Sequence, residues 1–287
     1  MEYFREKDFL EEKKDFGFEI IDIFPEKEKY PTPVLVAPGW SVTPSTLEKS
    51  LKLLSEKGRR VLSLYHSRKN IVEGPLSLIR SRKEVVETGK EYSFEEVQKA
   101  FSILDLLENK NINKIDIVAY SEAGINVSIA ASECPEKFRN IIYINPAGMI
   151  GEDKFPKLLG RFSLESIKGF IKGFLKSKTR DSLKNFYKES FNYITENIPL
   201  SFKEVVAISK TDVRKMMEDL KKEGIGIQVI QGEEDSIFPA QKMKENIGSI
   251  TDKIYSYKGG HFDIFLEPEK ITELIDSALI SANEEKK

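Results

Sequence analysis

Ser121 stands in the stretch DIVAYSEAG, residues Asp116 to Gly124, with Ala119 two positions before it and Ala123 two after. A small–x–Ser–x–small pattern between an apolar β-type run and a helical pattern puts a hydroxyl on a tight strand-to-helix bend. Such a bend lifts the hydroxyl above the sheet edge. It also aims the backbone N–H of Glu122, at a helix N-terminus, toward a developing negative charge. A serine hydroxyl becomes a nucleophile when a base takes its proton and a carboxylate orients the base. The chain has two histidines, His66 and His261. His261 lies in YKGGHFDIF, just after the last β-type run, and is the candidate base; His66 is read as structural. Asp235, in VIQGEEDSIFP between Gly232 and Pro239, is the candidate carboxylate, preferred over its neighbours Glu233 and Glu234. Asp263 is assigned to local hydrogen bonding. The chain order Ser, Asp, His, each at the C-terminal end of a β-type run, suits acyl transfer on an open α/β sheet. Acyl transfer needs a second N–H donor, and Ala37-Pro38-Gly39-Trp40 supplies one: Gly39 frees the backbone to turn the Trp40 N–H toward the nucleophile. The Trp40 side chain is also a candidate pocket wall.

The elements that must hold these residues follow from periodicity. Strands are expected at Phe18–Ile23, Val34–Ala37, Arg60–Tyr65, Ile115–Tyr120, Asn140–Ile144, Ile227–Gln231 and Ile254–Tyr257. Several are near-continuous apolar runs, as strands buried on both faces should be. Helices are expected at Thr46–Lys57, at Ser93–Asn109 with a capping box Ser93-x-x-Glu96, after Ser121, and at Pro268–Ala282. The alternation predicts an α/β fold with a mostly parallel twisted sheet flanked by helices. Between about Gly151 and Gly224 the pattern is helical only. Stripes recur at Phe155, Leu158, Leu159 and Phe162, at Ile167, Phe170, Ile171 and Phe174, and at Leu183, Phe186 and Tyr187. Residues 1–148 and 225–287 are therefore expected to form the core domain, and 149–224 a helical cap. The phenylalanine-rich stripes suggest an apolar substrate pocket, for which Trp40, Tyr120, Phe170 and Phe174 are the candidates. Lys168, Lys172 and Lys176 recur every four residues opposite the second stripe. Such a helix can meet an anionic membrane surface, but a solvated face over a packed cap is the preferred expectation.

Acids and bases nearly balance over the 287 residues, at a formal charge of −2, so the basic excess of a nucleic-acid binder is missing. Cys134 is the sole cysteine, which excludes an intramolecular disulfide and a cysteine-rich zinc site. Two histidines are too few for a histidine-based metal cluster, and no metal or cofactor is expected. The N-terminal stretch MEYFREKDFLEEKKDF alternates charge with single aromatics, unlike a secretory signal, and no run of about 18 apolar residues occurs. A cytoplasmic protein is the expectation; the sequence sets no oligomeric state.

Four stretches, AYSEAG, PGW, GEEDSIFP and GGHFD, resemble in order and spacing the α/β-hydrolase fold superfamily, and the resemblance covers nearly the whole chain. INPAGM, after the Asn140–Ile144 strand, resembles the loop that leads into the cap of many members. The turn carries Pro38-Gly39 where the family usually has His-Gly. YHSRKNIVEG stands where many members have Asp-x-Arg-Gly-x-Gly. The elbow holds a serine and not an aspartate, unlike the dehalogenase and epoxide-hydrolase branches. The resemblance implies Ser121 as nucleophile, His261 as base, Asp235 as acid, and Trp40 and Glu122 as backbone oxyanion donors. It implies a serine hydrolase under a helical cap, an esterase for carboxylic esters with an apolar acyl group, monoacylglycerol-like, acting on a small-molecule or lipid-like substrate. The same triad would serve a peptidase, a thioesterase or a carbon–carbon bond hydrolase, and the fold also has room for a ligand-binding sensor of low turnover.

Overall fold

The computed structural model describes residues 18–66, 92–151, 154–175 and 180–284. Seven strands form one sheet: β1 (Phe18–Ile23), β2 (Tyr30–Ala37), β3 (Arg59–His66), β4 (Ile115–Tyr120), β5 (Phe138–Ile144), β6 (Gly226–Gly232) and β7 (Lys253–Tyr257). Their order is β1-β3-β2-β4-β5-β6-β7, with every pairing parallel except that of β1 with β3. β4 and β6 are buried at every position. This is why they read as unbroken apolar runs: helices cover both faces of a parallel sheet. β2 begins four residues before its expected start. Pro31 and Pro33 disguise that start, which is anchored where Tyr30 pairs with Arg59 and the Arg59 guanidinium lies 3.6 Å over the Tyr30 ring.

The helices of the core are α1 (Glu48–Glu56), α2 (Phe94–Asn109) and α3 (Ala123–Glu133), then, beyond β6, α8 (Ala240–Ile247), α9 (Asp263–Leu266) and α10 (Pro268–Glu284). Pro44–Leu47 forms a tighter 3₁₀ turn ahead of α1, so the expected Thr46–Lys57 helix starts later. Ser93 caps α2, its hydroxyl accepting from the Glu96 backbone N–H at 3.3 Å. The expected capping box is only half made. Glu96 lies on the face of α2 packed toward α3, and its carboxyl is fully buried instead of reaching back to Ser93.

Between β5 and β6 lie α4 (Phe155–Leu175), α5 (Arg180–Glu196), α6 (Ile198–Lys210) and α7 (Arg214–Lys222), and among the described residues this stretch holds helices and no strand. The inward arc of α4 differs from expectation. Leu158, Phe162, Glu165 and Gly169, at i, i+4, i+7 and i+11, face inward, and a Cβ on Gly169 would press on the Phe262 ring at 3.0 Å. Ile167, Phe170 and Ile171 are left 59, 57 and 55% exposed. The helix runs unbroken through this stretch, so one straight arc is buried and the second stripe turns outward. Among the described residues no helix is long and apolar enough to cross a membrane.

Candidate active site

β4 and α3 are joined by only two residues, Ser121 and Glu122, and the first of them takes the strain. Ser121 has φ +57°, a left-handed conformation that a residue with a Cβ adopts only when its surroundings enforce it. Three backbone hydrogen bonds do so. The Ser121 N–H donates to the Ile144 carbonyl at 3.0 Å, while its own carbonyl accepts from Gly124 at 3.0 Å and from Ala147 at 2.9 Å. Gly39 comes so close that a Cβ there would sit 2.8 Å from the Ser121 Cβ and 2.9 Å from the Tyr120 oxygen. The glycine of the PGW turn is thus required by contact with the bend. Trp40 follows it, and Glu122 follows Ser121 into α3. Among the described residues neither backbone N–H makes a hydrogen bond.

Two further loops at the same sheet edge complete the constellation. His261 Nε2 lies 3.0 Å from Ser121 Oγ, and Nδ1 lies 2.8 Å from Asp235 Oδ2. The other Asp235 oxygen accepts from the backbone N–H groups of Ile237 at 2.8 Å and Phe238 at 3.0 Å. With a carboxylate on its Nδ1 side, the imidazole keeps its proton there and presents the Nε2 lone pair to the serine hydroxyl. Asp235 and His261 are both buried. Glu233 and Glu234 are exposed and serve through their backbone, donating to the Tyr257 and Gly259 carbonyls. Asp263 faces Lys172, whose Nζ is 2.7 and 2.9 Å from its oxygens; burial pushes this carboxyl up, with Lys172 opposing.

Polar groups that the sequence did not single out hold these loops. Asn145, at φ +44°, accepts from the Gly232 N–H at 2.8 Å. Its amide donates to the Tyr257 hydroxyl at 2.9 Å and the His261 carbonyl at 3.3 Å, joining the aspartate strand to the histidine loop. The Tyr120 hydroxyl donates to the His261 carbonyl at 3.0 Å. Burial pushes the phenols of Tyr120 and Tyr257 up, which keeps both as neutral donors. Glu165 reaches in from α4. Its Oε1 accepts the His261 N–H at 3.0 Å, and its Oε2 accepts the Ser236 N–H at 3.4 Å. A Cβ on Gly260 would collide with Glu165 Oε1 and one on Gly259 with Asp263 Oδ2, so the paired glycines before His261 make room for these two carboxylates. Asn145 sits in the quoted INPAG stretch and was visible there as a polar residue closing an apolar strand. Glu165 had no such signal, because a glutamate in an amphipathic helix reads as solvated.

The pocket residues divide. Trp40 packs edge-on against Phe162 and Tyr193, at centroid distances of 5.5 and 6.1 Å. Tyr120 does not line a cleft: it is buried behind the triad with its ring against His261 and Phe265. Phe170 lies on the outer surface against Tyr187, because the inward arc of α4 is the Leu158–Gly169 one. The side chains of Phe174 and His66 lie outside the described residues, as does Lys176.

No family model matches this sequence, and no curated protein matches it. The fold is similar to those of many solved structures. An esterase from Exiguobacterium antarcticum has a TM-score of 0.65 at 14% identity, covering 91% of this chain and 94% of that one. An alpha/beta hydrolase enzyme from the metagenome of lagoon sediments at Mar Chica, Morocco, has a TM-score of 0.60 at 15% identity over 94% and 98%. A meta-cleavage product hydrolase from Pseudomonas fluorescens has a TM-score of 0.60 at 13% identity over 92% and 94%.

Proposed function

The chain has the α/β-hydrolase fold, and on that premise we propose that it is a serine hydrolase cleaving carboxylic esters with an apolar acyl group. The observation that carries this reading is the unbroken hydrogen-bond chain from Asp235 through His261 to the Ser121 hydroxyl on its strained bend. In the first step His261 Nε2 takes the Ser121 proton as Oγ attacks the ester carbonyl carbon. The carbonyl oxygen becomes an oxyanion between the Trp40 and Glu122 amides, and Asp235 stabilises the imidazolium. Collapse breaks the carbon–oxygen bond, the leaving alkoxide takes the proton from His261, and an acyl-serine remains. Water then repeats the sequence: it gives a proton to His261, attacks the acyl carbon, and releases the acid and Ser121.

Residues 149–224 serve in this reading as a cap, with 1–148 and 225–287 as the core domain. The substrate preference rests on Trp40 and Phe162, half-buried rings in edge contact next to the Gly39 turn that touches Ser121, against which an alkyl chain would lose water at about 0.8 kcal/mol per buried methylene. The fold itself selects no chemistry. The test is a panel of p-nitrophenyl esters from acetate to dodecanoate, run beside a thioester, an anilide and a vinylogous 1,5-diketone. Ester hydrolysis that rises with acyl length and vanishes in Ser121→Ala supports the proposal. A folded wild type that cleaves no ester faster than Ser121→Ala overturns it, and turnover of the diketone alone would reassign the same triad to carbon–carbon cleavage.

A further inference from the structure

Lys99, Glu122 and Glu204 meet in the interior at the bend that carries Ser121, brought there by α2, the start of α3 and α6. Lys99 Nζ donates to Glu122 Oε1 at 2.6 Å and lies 3.1 Å from Glu204 Oε1. That Glu204 oxygen also accepts from the Tyr193 hydroxyl of α5 at 2.8 Å, and Glu204 Oε2 accepts from the Trp40 indole N–H at 2.9 Å. The three charged side chains are at most 4% exposed. Removing ions from water costs several kcal/mol each, and such a cluster is often no more stabilising than apolar residues of equal volume. What it does supply is fixed relative geometry.

That geometry concerns two residues above all. Trp40 and Glu122 are the residues whose backbone N–H groups the acyl-transfer reading assigns to the oxyanion, and their side chains are held by the same Lys99–Glu204 pair. The PGW turn has a second tie to the insertion. Ser41, at φ +59°, bonds through its hydroxyl to the Ser190 hydroxyl of α5 at 3.2 Å, and its carbonyl accepts from that hydroxyl at 3.2 Å. The turn is therefore set as much by the helices above it as by the strand below.

We propose that Lys99 and Glu204 are positioning residues for the oxyanion pocket: docking of α6 through Glu204 sets the Trp40 turn against the Glu122 bend, so that both backbone N–H groups address one oxygen atom. The insertion thereby controls transition-state stabilisation as well as substrate access. This rests on the acyl-transfer reading of Ser121.

The protonation of the cluster fits the role. Burial, and next the Glu122 carboxylate, push Glu96 well above the ordinary carboxylate range, which favours its neutral form. Burial pulls Lys99 down, but Glu122, Tyr193 and Glu204 outweigh it and hold the ammonium well above its usual value.

An oxyanion exists only in the transition state and its neighbouring intermediates, so disturbing its donors lowers kcat and leaves KM nearly unchanged. Three proteins are compared with wild type on p-nitrophenyl butyrate, with active sites counted by fluorophosphonate labelling. Glu204→Leu removes the acceptors, Trp40→Phe removes the indole N–H together with part of the ring, and Glu204→Gln keeps an acceptor for it. Glu204→Leu should lower kcat per labelled site about 10²-fold with KM changed less than about threefold. Trp40→Phe should lose about tenfold and Glu204→Gln should recover part of the Glu204→Leu loss. A trifluoromethyl ketone, which binds as a tetrahedral oxyanion, should weaken in step with kcat, while an ether analogue of the substrate should not. Wild-type kcat and ketone affinity in the variants with only a lower melting temperature, or a loss confined to KM, would overturn the proposal. Trp40→Phe carries the test should Glu204→Leu not fold. A wild type that takes no label at Ser121 would instead overturn the acyl-transfer reading.

Discussion

Glu165 and Glu204 are both buried carboxylates sent toward the Ser121 edge by the helical insertion, yet they are satisfied by different means. Glu204 faces side chains: the Lys99 ammonium, the Tyr193 hydroxyl and the Trp40 indole. Glu165 faces backbone N–H groups of the His261 and Asp235 loops, with Lys168, half exposed, 3.6 Å away. A buried ion pair that loses one partner leaves a stranded charge, whereas a lost acceptor leaves backbone donors that a water or a shifted loop can serve. The Trp40–Glu122 side of the site therefore depends on charge compensation, and the Asp235–His261 side on local backbone geometry.

The sharpest way to break that contrast is Lys99→Met, which strands carboxylates in the interior. It should cost about 3–5 kcal/mol of unfolding free energy, read from urea titration. Glu165→Ala, on the other half, should cost about 1–3 kcal/mol and slow turnover. Glu165→Gln should restore part of both, since its amide oxygen can still accept from His261. A Glu165→Ala loss as large as that of Lys99→Met would erase the distinction. Glu96 sharpens it through pH. Its folded pKa is raised by burial and by Glu122, so above about pH 4.5 the unfolded chain releases a proton that the folded chain keeps, and stability falls as pH rises. Glu96→Gln should accordingly raise the melting temperature at pH 8 relative to wild type, with the difference closing toward pH 4. The smallest effect is expected outside both halves. Serine at Ile167 or Ile171, both exposed on α4, should change stability by no more than about 0.5 kcal/mol and leave kcat on soluble esters unaltered.

The difference between the halves also explains what could be read in the chain. Ser121, Asp235 and His261 were legible because each sits at the end of an apolar strand beside small or turn-forming residues, a local pattern. The sheet was legible for the same reason, including the span of β1 but not its antiparallel pairing at the edge. Glu96, Lys99, Glu165 and Glu204 were not. Each is a charged residue in an amphipathic helix, where charge ordinarily marks the solvent side, and only tertiary packing turns it inward. Ser93-x-x-Glu96 failed as a full capping box because the interior of the α2–α3 contact claimed the glutamate. The stripe Ile167, Phe170 and Ile171 misled in the opposite sense: apolar spacing marks a face, and the packing of one straight helix decides which face is buried.

The account stands on an activated Ser121, and a fluorescent fluorophosphonate with peptide mapping by mass spectrometry tests it most directly. The prediction is one label per chain on the peptide holding Ser121, none on Ser121→Ala, and labelling of His261→Ala slower by at least about 10³-fold. A folded wild type that stays unlabelled, or an adduct that maps to another serine, would contradict it.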